Sequence, residues 1–388
     1  MVLRDARFSM QPAILPVGLP AKLAAVLFNS PDLPDDVRSE FERIIGEGKE
    51  LHAALGDEDV VRSIRRSPTS AQILLGMDPP EHARIRRILA GYFTVRRVRA
   101  YREKINSVVS SCLDELEEMD SPQDLVENFA LPVSSMSICE LLGAPYGDRC
   151  KFEDLASVGI DPESSVDDLM SVRQDFYDYA TSLIEGGRAS SDGILYALAN
   201  EGQLTTSEQL GVAEQLFVAG HHTSANMLAL AVCTLLEDRR RWDYLRADFS
   251  TIGGAVEELL RYLTIFQVGA FTRTALCEVE INDIVIKSGD PVTVSLLAAN
   301  HDPDQFDQPS ELNLGRSASG HLAFGHGVHQ CLGQHLARLE LEVALSGLVS
   351  RFPTLRLAVP FDDIAFFGGD QMIYGVRKLP VVWGGGDV

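Results

Sequence analysis

The chain has 388 residues, 45% of them hydrophobic, enough to bury a large core and too apolar for a disordered chain. Its 56 acidic residues against 34 basic ones leave a formal charge of -22, which argues against a nucleic-acid backbone as partner for most of the surface. The longest strongly apolar run, Met227 to Leu236, is short of the roughly 20 residues that cross a bilayer, and Met1-Val2-Leu3-Arg4-Asp5 lacks the basic start and apolar stretch of a secretory signal, so the expected compartment is the cytoplasm.

No repeat, low-complexity stretch or Pro/Gly linker divides the sequence, which predicts one continuous domain over residues 1–388, with an atypical first segment, residues 1–50. From about Glu81 to Leu260 helical periodicity recurs, as in Val98 to Leu116. Between Arg84 and Lys104 stand eight basic residues and one acid, Glu103, a basic patch in an otherwise acidic chain. Thr205-Thr206-Ser207-Glu208 is an N-cap with a capping box, and periodicity then continues to about Leu236, roughly 45 Å of helix. In its middle, Gly220 costs about 1 kcal/mol relative to Ala unless something packs against the backbone. Ala219, Gly220 and Thr223 share one face beside that notch; a notch serving helix packing alone is the other reading.

Glu258 and Arg261, three residues apart on a helix, are spaced to pair, although many surface helices carry such a pair. From Phe271 to Leu297 β-branched alternation predicts short strands, Val279 to Ile281 and Asp283 to Ile286 around Asn282, then Pro291 to Leu297. Leu355 to Leu357 and Leu379 to Trp383 also read as strands, so the expected class is mainly α with a smaller β region.

Six cysteines, at positions 112, 139, 150, 233, 277 and 331, lack paired spacing and read mostly as buried thiols. Cys331 differs. Phe324-Gly325-His326-Gly327-Val328-His329-Gln330-Cys331-Leu332-Gly333 is a glycine-rich loop running into an amphipathic helix, with Leu332, Leu336, Leu339 and Val343 as its apolar stripe. At that junction unpaired backbone N–H groups favour a thiolate, and the glycines allow a flat group to press on the loop. Zinc held by His321, His326, His329, Cys331 and His335 is an alternative, as is a structural cysteine, but one thiolate among irregularly spaced histidines lacks the usual paired ligands.

This segment matches every fixed position of the haem-binding signature of cytochromes P-450, Phe-Gly-x-Gly-x-His-x-Cys-x-Gly, and the chain resembles that family from Glu58 to Trp383. The resemblance implies the cytochrome P-450 fold, with haem b between the long helix and the cysteine loop, Cys331 on the iron, and Phe324, Gly325, Gly333, Ala219 and Gly220 around the cofactor. It makes Thr223 the oxygen-side threonine. Where the family has an acid before it, this chain has His222, an imidazole with a different pKa and geometry for relaying protons. Glu258, Arg261 and Arg316 match the family's structural ion network, and His82, Arg86, Arg273 and His329 match cations that hold the two propionates.

The basic patch then implies a docking face for an acidic ferredoxin, supplied through a ferredoxin reductase from NAD(P)H, although a plain solvated face has the same composition. Phe217, Val218, Val268, Gly269 and Met372 correspond to substrate-facing positions. The implied activity is O2-dependent oxidation of a small organic substrate, free or bound to a carrier protein, in secondary metabolism. A peroxide-dependent or redox-neutral haem-thiolate enzyme and a non-enzymatic haem sensor remain the alternatives. Asp57 to Pro68 is placed on the family's second helix, which leaves a short loop to Met77; the alternative places Val2 to Ser9 there.

Overall fold

The capping box at Thr205 starts the helix around which the others pack. In the computed structural model, which describes residues 2–10, 74–148, 166–266, 272–367 and 373–384, the helices in chain order begin with α1 Glu81–Ala90, α2 Val95–Ala100, α3 Arg102–Glu117 and α4 Leu131–Leu142. They continue with α5 Val166–Ile184, α6 Ile194–Glu201, α7 Thr206–Glu237, α8 Arg239–Ala247, α9 Ile252–Leu263, α10 Leu296–Asn300 and α11 Gln334–Arg351. At the start of α7 the Glu208 N–H donates to the Thr205 hydroxyl at 3.3 Å, while the Thr205 N–H donates to the Glu208 carboxylate at 2.8 Å.

Helix α7 is 32 residues long, longer than the apolar run at its C-terminal end suggests, because small residues continue its hydrophobic character towards Thr206. Its length and composition suit a membrane-crossing helix, yet 72% of the relevant stretch is buried inside the protein. Among the described residues this one candidate is a core helix. Helices α4 and α7 form the main packing pair, and α11 packs on α3, α9 and α7. A Cβ at Gly220 would meet the Ile138 side chain at 2.9 Å, so Gly220 admits α4. The packing alternative therefore holds on that side of the notch.

The periodicity over Val98 to Leu116 is two helices, divided at Tyr101. The expected strand from Pro291 to Leu297 ends at Val292, because the Ser295 hydroxyl accepts the Ala298 N–H at 3.1 Å and caps α10 instead. The strands are β1 Phe8–Ser9, β2 Gln123–Asp124, β3 Arg273–Ala275, β4 Val279–Ile281, β5 Ile284–Ile286, β6 Pro291–Val292, β7 Arg356–Leu357 and β8 Pro380–Val382. They make three small antiparallel sheets, β1-β3-β6, β2-β8-β7 and the hairpin β4-β5. Asn282 and Asp283, at φ 48° and 65°, turn that hairpin as a two-residue loop with left-handed backbone requires.

Asp57 to Pro68 lies outside the described residues. Val2–Arg4 forms one 3-10 turn before β1, which pairs Phe8 with Ala275 and so sits on the sheet that carries Arg273. The Leu3 carbonyl also fills the space beside Gly327, closing one side of the cysteine loop with main chain.

One buried acid stands in this core. Glu340 of α11 accepts the Ser134 hydroxyl of α4 at 2.8 Å and is also hydrogen-bonded to Ser224 of α7. Burial outweighs both bonds and lifts its carboxyl from 4.5 to about 8. Between those pH values the unfolded chain ionises this carboxyl while the fold keeps it protonated, so its contribution to stability falls as pH rises through the window. Glu340→Gln should therefore raise the Tm relative to the parent by an amount that grows from pH 4.5 to pH 8 and then levels, read by differential scanning calorimetry; a pH-independent difference would refute the neutral acid.

Candidate active site

Cys331 lies three residues before the start of α11, where the last loop residues turn the chain into the helix. Gly325 and Gly327, at φ 65° and 82°, hold backbone conformations that side chains disfavour, and the Cys331 N–H donates to the Phe324 carbonyl at 2.9 Å. The backbone N–H groups of Gly333 and Gln334 donate to its sulfur, the anion-favouring geometry expected of a helix N-terminus.

Burial nevertheless dominates and pushes the thiol up, against those N–H groups and the charges of Arg86 and Arg338. Cys331 also has an exposed surface. Cys331 is thus exposed as a residue while its sulfur is desolvated. A cation bound there would hold the thiolate outright, as a haem iron would.

Beside the sulfur the fold collects the four cations from distant segments. The His82 and His329 rings lie 4.1 Å apart, Arg86 donates to the Gln330 carbonyl next to the cysteine, and Arg273 is buried in β3. Burial lowers all four; the Arg86 charge adds to the effect at His82, and His82 and Arg273 help bring His329 to about 4. The buried His82 Nε2 has no hydrogen-bond partner. Donors that resist ionising together, one of them unsatisfied, fit a buried dianion such as the two propionates of haem.

The middle of α7 carries Val218, Ala219 and Thr223. Val218 is 39% exposed and Ala219 is exposed, on a helix otherwise mostly buried, so both face open space. Phe217 does not: it has no accessible surface and packs between Phe176 at 6.2 Å and His221 at 5.5 Å. Its place as a substrate-facing residue is corrected to the core, because the helical turn points it away from its neighbour Val218. Val268, Gly269 and Met372 lie outside the described residues. The Thr223 hydroxyl donates to the Ala219 carbonyl one turn back. His222 is buried, edge-on to His221 at 4.5 Å, and burial holds the His221 ring down at about 3.

Glu258, Arg261 and Arg316 form one network. Arg261 meets both Glu258 oxygens at 2.8 and 2.9 Å, Arg316 donates to Oε1 at 3.0 Å, and Arg261 also donates to the Asn300 and Pro309 carbonyls. Glu258 and Arg261 have no accessible side-chain surface. The network ties α9 to the end of α10 and to the coil between α10 and the cysteine loop.

Two residues of the site went unnoticed in the sequence, Glu257 and Arg338, and His321 was read only as a candidate zinc ligand; the three join α9, the segment before the cysteine loop and α11 through hydrogen bonds. The signal for Arg338 was its place two helical turns after Cys331 on α11. Among the described residues no three His, Cys, Asp or Glu side chains converge to hold a metal, so the zinc alternative lacks a ligand set there.

The cytochrome P450 family model matches residues 152–359. Vitamin D3 dihydroxylase of Streptomyces griseolus is 44% identical over 328 residues, covering 83% of this chain and 79% of that protein. Pentalenic acid synthase of Streptomyces avermitilis is 41% identical over 315 residues, 80% of this chain and 77% of its own. Among solved structures, cytochrome P450 MoxA from Nonomuraea recticatena superposes with a TM-score of 0.78 at 35% identity, covering 100% of this chain and 88% of that one. The mycinamicin VIII C21 methyl hydroxylase of Micromonospora griseorubida gives 0.75 at 36% identity, with 80% of each chain covered.

This chain belongs to the cytochrome P450 family. It is a haem-thiolate monooxygenase with haem b as cofactor and electrons drawn from NAD(P)H through a redox partner. Removing one member of the ion network tests its place in the site: Glu258→Gln leaves Arg261 buried beside a neutral amide and should cost about 3–5 kcal/mol in urea unfolding. A loss below about 1 kcal/mol would mean that the pair is solvated in the folded protein.

Proposed function

We propose that this chain inserts oxygen into a C–H bond of an apolar secondary metabolite, a terpenoid or macrolide scaffold, with Cys331 as the proximal iron ligand. The observation that carries the reading is the convergence beside Cys331 of four desolvated nitrogen donors, His82, Arg86, Arg273 and His329. The relatives support the substrate class, since their names join this architecture to vitamin D3, pentalenic acid and mycinamicin VIII. A carrier-bound form of such a scaffold is a second route for the same pocket. We place the enzyme in the cytoplasm and read the chain as one domain.

When bound, the haem supplies oxygen activation and electron transfer, with thiolate donation favouring O–O cleavage. Cys331 would hold the cofactor through its sulfur; the Gly333 and Gln334 N–H groups favour the thiolate against burial, and a bound iron would fix it. His82, Arg86, Arg273 and His329 orient it by its propionates. Phe324, Gly325 and Gly333 would shape the loop for it, and the exposed Val218 and Ala219 of α7 would help exclude water from the substrate.

Thr223 holds a proton on its hydroxyl, which donates to the Ala219 carbonyl and would be redirected towards bound oxygen. His222 stands where an acid would recharge it, and an imidazole in that place makes peroxide use the competing reading. Turnover with ferredoxin, reductase and NAD(P)H and none with peroxide decides for oxygenation. Cys331→Ser should abolish the thiolate-type spectrum of the reduced CO complex along with that turnover; a variant that kept both would remove the thiolate from the scheme.

The electron partner meets the basic face of α1 and α2. Arg84 is paired with Glu208, Arg102 with Glu342, and Lys104 with Glu140 and Asp192. Arg87, Arg96 and Arg99 are exposed, and α2 packs on α11, the helix that follows Cys331. An acidic ferredoxin fits that charge and place. Arg96→Glu combined with Arg99→Glu should raise the KM for ferredoxin about tenfold at low salt, with kcat at saturation retained and the salt dependence flattened. An unchanged KM would move the docking face elsewhere.

A further inference from the structure

A second ionic cluster touches the cysteine loop, separate from the propionate cations and from the Glu258 network. Arg338 donates to both oxygens of Glu257, from Nε at 2.5 Å and from Nη2 at 3.1 Å, and its guanidinium lies over the Phe324 ring at 4.5 Å. Its Nη1 also donates to the Gln334 carbonyl at 3.2 Å. Phe324 and Gln334 are two residues that touch the cysteine directly, through the Phe324 carbonyl and the Gln334 N–H.

His321 fixes the other end of the cluster. Its Nδ1 accepts the Ala323 N–H at 3.1 Å, so the ring proton is on Nε2, which donates to Glu257 Oε2 at 3.1 Å. These bonds outweigh the effect of burial and hold the Glu257 carboxyl at about 2. The pair is charged at any pH at which the protein works.

We infer that the Arg338–Glu257 pair sets the reduction potential of the iron carried on Cys331, with Arg338 as the positioning residue and Glu257 as the charge that offsets it. The inference rests on the haem-thiolate reading. Reduction adds one negative charge at the iron, and a guanidinium fixed against Phe324 and Gln334 favours that charge; the Glu257 carboxylate opposes it. The Arg338 and Glu257 side chains are 23% and 31% exposed, at a cleft of about 360 Å³ that Arg316 and Ser319 also line. Solvent in that cleft screens the pair, so the effect is modest.

The two halves of the pair make opposite predictions. In holoenzyme, Arg338→Met should lower the ferrous-to-ferric ratio at a fixed ambient potential about three- to tenfold, and Glu257→Gln should raise it by a similar factor. Loosening of the loop would move both variants the same way. Potentials that shift in one direction together, or not at all, overturn the inference.

Should Arg338→Met fail to take up haem, Glu257→Gln and the charge-keeping Glu257→Asp decide alone: a raised ratio in the first and the parent ratio in the second support it, and equal ratios refute it. The CO spectrum of the parent protein separates the two levels of the argument. A thiolate-type band with unshifted variant potentials refutes the inference alone, and its absence in the parent refutes the haem-thiolate reading beneath it.

Discussion

The site depends on two backbone N–H groups, those of Gly333 and Gln334, donating to one sulfur. A thiol in a desolvated hollow prefers its proton, and a thiolate there needs both a helix N-terminus and a cation. The loop before α11 exists to hold that arrangement. Gly325 and Gly327 take left-handed backbone, the Phe324 carbonyl ties down the Cys331 N–H, and the Leu3 carbonyl closes the space beside Gly327. Each contact removes a way in which the sulfur could turn aside.

Around that point the molecule buries an unusual amount of charge. Glu258 and Arg261 are fully buried, Arg273 nearly so, and Glu340 stays neutral between three helices. Buried ions contribute little net stability, because desolvation consumes most of the attraction. They contribute geometry: a charge with one satisfactory set of partners allows one arrangement of the chain. The Glu258 network anchors the segment before the loop, and Glu257 with Arg338 spans from α9 to α11. The group of His82, Arg86, Arg273 and His329 is the exception, since burial and the arginine charges keep its histidines from ionising until an anion joins them.

Parts of this were legible in the residues. The capping box at Thr205 marked the start of α7, and the turn at Asn282 marked a hairpin, because both depend on neighbours in sequence. The cysteine loop was legible for the same reason: its glycines, its sulfur and its helix are contiguous. Local reading failed where a longer-range preference won. Ser295 capped a helix in what read as a strand and Phe217 turned into the core, whereas at Gly220 the packing reading stood, with Ile138 of α4 against the notch.

The sequence alone therefore determined the start and course of α7, the hairpin and the cysteine loop, since periodicity, capping and backbone freedom act over a few residues. Only the tertiary structure decided that His82, Arg86, Arg273 and His329 meet, that Arg338 lies on Phe324 with Glu257 behind it, and that Val218 stays exposed while Phe217 is buried. These are contacts between residues far apart in the chain, and their partners are chosen by burial and by charge that must be neutralised once water is gone.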